Sequence, residues 1–214
     1  GRPMLEQQLR RLALAHTVDT ILIATTDNAT DDPVCALARR VGVGCFRGSE
    51  QDVLGRFVGA ARQAHADIVV RVTADCPLLD PAVVDAVVAP MLADPRCDYS
   101  SNVLERCHPR GLDVEAVRAS TLQRVAIEAT SQEAREHVTW HIVREAPASF
   151  RTHAVTEADD HSDLRWTVDT REDLALVRRL YAELDLDRSP RGYREILAHV
   201  LAHPELQHLN QHVQ

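Results

Sequence analysis

Apolar residues recur in this chain first at helical spacing, then in strand-like runs, and the two periods trade places through its first half. Leu5, Leu9 and Leu12 predict an amphipathic helix over Pro3–Ala15, with Arg10 and Arg11 on its outer side. The run Thr20–Thr25 reads as a buried strand, followed by the polar turn Thr26-Asp27-Asn28. Pro33–Val41 reads as a helix, with proline in its first turn and Gly42 just past its end. A short strand, Val43–Phe46, leads to Ser49, which can cap a helix with Asp52 three residues on. That helix runs to about His65. Ile68–Val72 is a β-branched apolar run of the kind that fills a buried parallel strand, and Pro81–Leu92 reads as a helix. This β/α alternation predicts a mostly parallel sheet with helices on its faces.

From Asp98 the pattern changes. Tyr99–Val103 and Leu112–Val117 read as strands around the turn-rich Arg106–Gly111. Helices are expected over Ser120–Ala129 and Gln132–Arg144, an extended segment over Phe150–Val155, and a strand ending at Asp169. Helices over Glu172–Leu184 and Gly192–His203 close the pattern, and the His- and Gln-rich tail from Pro204 is expected to be loosely held. No internal repeat or low-complexity linker interrupts residues 1–214, which read as a single domain.

Composition narrows the class. Of 214 residues, 45% are hydrophobic and 26% charged, as in ordinary soluble globular proteins. No apolar run nears the roughly 18 residues that span a bilayer, so no membrane partner is expected. The opening Gly1-Arg2-Pro3-Met4 does not resemble a secretory signal. The net charge is −8 and no basic cluster exceeds two residues, which argues against nucleic acid as a partner. An anionic substrate would need local cations or a metal. The five cysteines are odd in number and form no Cys-x-x-Cys pair, which points to a reducing cytoplasm rather than a disulfide framework or structural zinc.

The candidate chemistry lies at strand ends. Asp75 ends the run that starts at Ile68 and precedes Cys76-Pro77; Asp169 ends Leu164-Arg165-Trp166-Thr167-Val168. A carboxylate there points into the crevice where open α/β sheets bind ligands. Two such acids could converge on one divalent cation, since phosphoryl and nucleotidyl transfer need hard oxygen ligands for Mg²⁺. Asp75 could equally start a turn, and Asp169 could cap the helix that begins near Arg171. Thr25-Thr26-Asp27-Asn28 could hold a ribose or base, or form an Asx turn. Arg47 and Arg56 could clamp phosphate, or belong to a solvated helix face. Ser100-Ser101-Asn102 and Arg110–Glu115 bracket a loop that could bind a sugar, or show ordinary turn chemistry. His137 and His141 share a helical face, but the glutamate of a zinc-binding H-E-x-x-H is replaced by Val138. There is no G-x-S-x-G elbow, no Gly-x-Gly-x-x-Gly and no Gly-Lys-Ser/Thr.

Taken in order, several runs resemble the cytidylyltransferases of the spore-coat-polysaccharide F type, relatives of the 3-deoxy-manno-octulosonate and acylneuraminate cytidylyltransferases. They are Gly1–Glu6, Ile23–Asn28, Phe46–Arg56, Thr73–Pro81, Tyr99–Asn102, Gly111–Glu115, Arg135–Thr139 and Leu164–Asp169. The resemblance covers nearly the whole chain. It implies an α/β fold of the nucleotide-diphospho-sugar transferase type and a Mg²⁺-dependent reaction in which an acidic sugar attacks the α-phosphate of CTP. Asp75 and Asp169 would be the metal-holding catalytic acids, Thr26, Asp27 and Arg56 would meet the nucleotide, and Ser101, Asn102, Arg110 and His137 the acceptor. Residues 1–97 would form the nucleotide half, 98–165 the acceptor and homodimer region, and 166–214 the closing strand and helices. The family opens with a strand and a triphosphate-gripping loop, to which nothing here corresponds. The sequence in hand is therefore expected to lack that first strand, and on its own to bind CTP poorly. A glycosyltransferase of the same fold, or an inactive regulatory homologue, are the alternatives. The acceptor is not named by the residues, and the preference for CTP comes from the resemblance alone.

Overall fold

The computed structural model describes residues 1–213. Helix α1 (Met4–Leu12) precedes β1 (Leu22–Thr26), α2 (Asp32–Val41), β2 (Gly44–Gly48), α3 (Val53–Ala64), β3 (Ile68–Arg71) and α4 (Pro81–Ala93). Then come β4 (Tyr99–Ser101), β5 (Glu115–Arg118), α5 (Ala119–Glu128), α6 (Gln132–His137) and a π-helical turn, His141–Glu145. Strand β6 (Thr152–Ala154) and helices α7 (Arg171–Glu183), α8 (Tyr193–Ala202) and α9 (Pro204–Gln207) follow.

Strands β1 and β2 pair in parallel, with Thr25 opposite Arg47. The larger sheet has the order β3-β5-β4-β6. Strand β5 runs antiparallel to both β3 and β4, while β4 and β6 are parallel. The sheet is thus mixed rather than mostly parallel. Strand β5 returns from β4 through a loop instead of a crossover helix, so it must run back along its neighbour. Strands β1 and β3 are half-buried, not fully buried as their composition suggests. Each has a paired neighbour on one edge only among the described residues.

Side chains alternate across the larger sheet between two cores. Val70 and Ala116 face a core built on α4 (Val84, Val87, Met91) with Trp166, Leu180 and Ile196. Val69, Val117 and Tyr99 face a second core of Leu54, Val58, Leu122, Val125 and Ile142. Each of the larger aliphatic side chains contributes about 1.5–3 kcal/mol by leaving water. The first core draws on residues from Leu12 to Leu206, so it runs across the divisions at 97/98 and 165/166. Helix α4 buries Val83, Val84, Val87, Val88 and Met91, while its Ala82, Ala86, Ala89 and Leu92 stay exposed. Asp80 caps it, accepting from the Ala82 and Val83 amides at 2.7 and 3.3 Å, and also accepts from the Tyr193 amide that opens α8.

Several local expectations are corrected. Arg11 is buried rather than outside: its Nε donates to Leu79 O at 2.6 Å and its Nη2 to Arg191 O at 2.8 Å. Asp52, not Ser49, caps α3, accepting from the Gly55 amide at 2.9 Å. Gly59 of α3 lets the Phe46 ring of β2 lie on the helix, since a Cβ there would come within 2.1 Å of the ring. The helix expected over Gln132–Arg144 is broken at Val138, with φ 55° and ψ −60°. The Thr139 amide donates to His137 O across it, a γ-turn that costs a β-branched residue energy. His137 and His141 therefore sit on separate elements, not on one helical face. Leu164–Asp169 forms no strand; one bridge joins Arg110 to Arg165. The tail is docked through Leu206, which is fully buried, and through Asn210. No helix among the described residues is long and apolar enough to cross a membrane.

Candidate active site

The C-terminal ends of β3 and β4 and the start of β5 share one rim, because Arg71 and Ser101 both stand opposite Glu115. Asp75 lies four residues beyond β3. Its main-chain oxygen accepts from the Val168 amide at 2.9 Å and from the Thr167 hydroxyl at 3.4 Å. The segment that ends at Asp169 therefore abuts Asp75 across more than 90 residues of sequence. Gly111 makes room for this approach: its φ is 102°, and a Cβ there would lie 2.4 Å from the Thr167 nitrogen. Any other residue would push the two backbones apart.

The Asp75 carboxylate accepts only a weak hydrogen bond from the Cys76 thiol at 3.4 Å, and no cation pairs with it among the described residues. Burial pushes that thiol up to about 12, and the charges of Asp75 and Asp113 add to the shift, so both carboxylates lie near it. Asp113 is held by Arg106 through two bonds of 2.7 Å. Asp169 is exposed and accepts from Arg165, whose Nε also reaches Asp173 at 3.1 Å. Thr170, not Asp169, caps α7, in a capping box with Asp173. Burial works against the Asp173 charge. Hydrogen bonds from Asn210, Arg165 and the Asp169 and Thr170 amides outweigh it and hold this carboxyl down at about 2.

A hard divalent cation suits this donor set. Asp75 offers a carboxylate with no counter-charge, and Arg165 keeps a partner in Asp173 if Asp169 turns to a metal. Among the described residues no three His, Cys, Asp or Glu side chains already form a metal cage.

The β1–β2 rim is a second polar cluster. Asp31 accepts from the hydroxyls of Thr25 and Thr26, both at 2.6 Å, and from the Thr26 amide at 3.0 Å. Those bonds hold its carboxyl down at about 2. Arg47 donates to the carbonyls of Thr26 and Asn28 and to Asp32. Asp27 is exposed, and its amide donates to Gly48 O at 2.9 Å. Arg56 donates through Nη1 to Ser49 O at 2.7 Å, while its Nε is buried without a partner. Thr26, Asp27 and Arg56 are thus gathered at one strand-end rim, with the Thr26 hydroxyl already engaged.

The four acceptor candidates separate into two pairs. Ser101 and Asn102 are buried and serve the chain itself. Ser101 Oγ donates to Val114 O at 2.8 Å; Asn102 donates to Leu112 O at 2.8 Å and accepts from the Val114 amide at 2.9 Å. Arg110 and His137 are exposed. The Arg110 main chain is locked to Leu164 and Trp166, which leaves its guanidinium toward solvent. His137 stands at the end of α6, its ring 5.7 Å from that of Trp140.

Sequence reasoning missed the charge that organises the larger rim. Glu115, almost fully buried, accepts from Arg71, from the Tyr99 hydroxyl at 2.6 Å and from the Thr139 hydroxyl. The last bond fastens the strained turn at Val138, and with it the place of His137. A charged residue alternating with Leu112, Val114 and Ala116 was the available signal. Asp31 was also missed; its spacing to Thr25 and Thr26 resembles an ordinary turn.

An α/β fold with a mixed sheet flanked by helices is the fold of solved nucleotidyltransferases. A solved cytidylyltransferase from Leptospira borgpetersenii superposes with a TM-score of 0.87 at 27% identity, covering 95% of this chain and 85% of that one. The uncharacterized protein MJ1063 of Methanocaldococcus jannaschii is 32% identical over 99% of this chain and 85% of its own length. The spore coat polysaccharide biosynthesis protein SpsF of Bacillus subtilis is 35% identical over 76% of this chain and 67% of its own. The sequence model of the cytidylyltransferases matches residues 1–190, and the chain belongs to that family.

Proposed function

We propose that this cytidylyltransferase transfers CMP from CTP to an acidic sugar for polysaccharide synthesis. An acceptor oxygen attacks the α-phosphorus; a phosphorus–oxygen bond to the acceptor forms as the bond to pyrophosphate breaks. Little covalent work falls to the protein, so positioning and charge neutralisation carry the rate. Asp75 and Asp169 would hold a magnesium ion, which when bound neutralises charge on the phosphate oxygens. Thr26, Asp27 and Arg56 receive the nucleotide, and the free Arg110 guanidinium meets the acceptor's carboxylate as a charge-assisted pair. His137 binds an acceptor hydroxyl. The observation that supports this reading is the main-chain bond from Val168 to Asp75, which brings the segment ending at Asp169 against the turn that carries Asp75.

The test is pyrophosphate release by the full-length protein with MgCl₂, each of the four nucleoside triphosphates in turn, and 3-deoxy-manno-octulosonate or N-acetylneuraminate. Release is expected with CTP and one of the acids. Release no faster than that of Asp75→Ala under every combination overturns the reading. Five free thiols, odd in number and without a Cys-x-x-Cys pair, support a cytoplasmic location, where CTP is made. A homodimer is expected, and light scattering on the eluting protein measures it.

A further inference from the structure

Cys35 on α2 and Cys45 on β2 are both free, and their sulfurs lie 3.4 Å apart. The other cysteines are engaged elsewhere. Cys76 contacts Thr73 and Asp75, Cys97 donates to Tyr99 O, and Cys107 contacts His108 and accepts from the Glu157 amide. A disulfide needs its sulfurs at about 2.05 Å. Cys35 and Cys45 must therefore approach by only about 1.4 Å, a matter of side-chain torsions rather than of refolding. Cys35 is buried and Cys45 half-buried, so a small reagent reaches Cys45 first.

We propose that Cys35 and Cys45 form an oxidative modification site, at which a small oxidant of the peroxide class closes a disulfide that staples α2 to β2. The Cys45 thiolate attacks one peroxide oxygen; the O–O bond breaks, a sulfenic acid forms on Cys45, and hydroxide leaves to become water. The Cys35 sulfur then attacks the Cys45 sulfur; the S–S bond forms, the S–O bond breaks, and the oxygen leaves as a second water with the Cys35 proton. The two thiols lose two electrons and the peroxide gains two.

The surroundings set the conditions. Burial and the neighbouring Cys35 thiol push the Cys45 thiol up to about 11, against the opposing charges of Arg47 on its own strand and Arg39 on α2. Little thiolate exists at pH 7, so the pair is slow there, and its rate rises about tenfold per pH unit toward 9. The staple lies beside the β1–β2 rim. Arg47, two residues along β2, grips the Thr26 and Asn28 carbonyls and Asp32 of α2. Oxidation therefore ties together the two elements that Arg47 already bridges. The disulfide itself does not depend on which nucleotide the rim binds.

The experiment treats the reduced full chain with hydrogen peroxide at pH 7, 8 and 9 and counts thiols after denaturation. The count is expected to fall from five to three, with loss of two hydrogens in mass and recovery by dithiothreitol. Trypsin cuts after Arg39 and Arg40, between the two cysteines, so the bond appears as a pair of linked peptides. The oxidised chain melts about 5 °C higher, from the small loop it closes. Cys45→Ser and Cys35→Ser abolish both the link and the rise. Five thiols persisting in excess peroxide, a link to Cys76, Cys97 or Cys107, a sulfinic acid on Cys45 with no link, or a rate flat in pH would each overturn the proposal. The peptide map uses the unaltered chain, so it decides even where a variant fails to fold.

Discussion

At the β1–β2 rim, the threonine hydroxyls and Arg56 are answered from close by in the chain. Thr25 and Thr26 find Asp31 six and five residues on, and Arg56 finds Ser49 seven residues back. At the β3–β5 rim, Glu115 is answered by Arg71, Tyr99 and Thr139, at separations of 44, 16 and 24 residues. The first rim is half-exposed, the second mostly buried. A locally satisfied, solvated cluster can change without disturbing the fold. A buried charge satisfied by three distant elements cannot, because removing it leaves their donors without partners in a low dielectric. The contrast predicts that stability and ligand binding separate at the first rim, and that Glu115 carries stability at the second.

The largest effect should follow Glu115→Ala. It leaves the mostly buried Arg71 guanidinium unpaired and strands the Tyr99 and Thr139 hydroxyls. Breaking a buried pair in this way costs about 3–5 kcal/mol, which lowers Tm by roughly 10 °C in a chain of this size. Glu115→Gln keeps an acceptor for both hydroxyls and should recover part of the loss. Thermal unfolding of the two variants measures it; a drop under 2 °C for Glu115→Ala would erase the contrast between the rims.

Asp75→Ala should show the reverse signature at the same rim. Its carboxylate has no cation to strand, so Tm should move by less than about 2 °C. Its loss from the reacting phosphate should lower kcat by a hundredfold or more, about 2.7 kcal/mol at the barrier. Steady-state kinetics beside a melting curve separates the two, and a kcat loss below tenfold would remove Asp75 from the chemistry.

Acid sharpens the comparison further, because Asp31 and Asp173 are both held at about 2 in different surroundings. Each carboxyl sits below its unfolded value near 3.9, so the unfolded chain takes up the proton first. Both contributions are present above about pH 4 and are lost as pH falls toward 2. Asp173 is fully buried and should account for about 2 kcal/mol of that loss. The open surroundings of Asp31 leave less. Denaturant midpoints between pH 5 and 2.5 should flatten much more in Asp173→Asn than in Asp31→Asn.

What could be read before folding follows the same division. Helical periodicity located α2, α4, α7 and α8 to within a residue or two, because their caps and apolar stripes are local signals. Asp75 stood out because a lone acid closing a β-branched run is visible in one short window. The direction of β5 was legible but unread, since the short, turn-rich stretch Arg106–Gly111 between two strands leaves no room for a crossover helix. The break at Val138 was not legible: a valine at positive φ is locally unfavourable, and it is held there by its own burial and by Thr139 reaching Glu115. The burial of Arg11 depends on carbonyls 68 and 180 residues away, beyond the reach of any periodicity.

The most selective effect should come from Asp31→Ala, at a small cost in stability. Three donors lose one acceptor, but all lie near water, which replaces the carboxylate at a cost of about 1 kcal/mol. Tm should fall by about 3 °C. The freed Thr25 and Thr26 hydroxyls and the slackened turn at Asp27 and Asn28 should nevertheless raise KM for CTP about tenfold, with kcat changed less than threefold. Asp31→Asn retains one acceptor and should fall between the parent and the alanine variant. Equal shifts in KM for CTP and for the acceptor would mean that this rim is not reserved for the nucleotide. A large loss of Tm with no change in KM would mean that it is not a binding rim, and that its polar side chains serve only to end two strands.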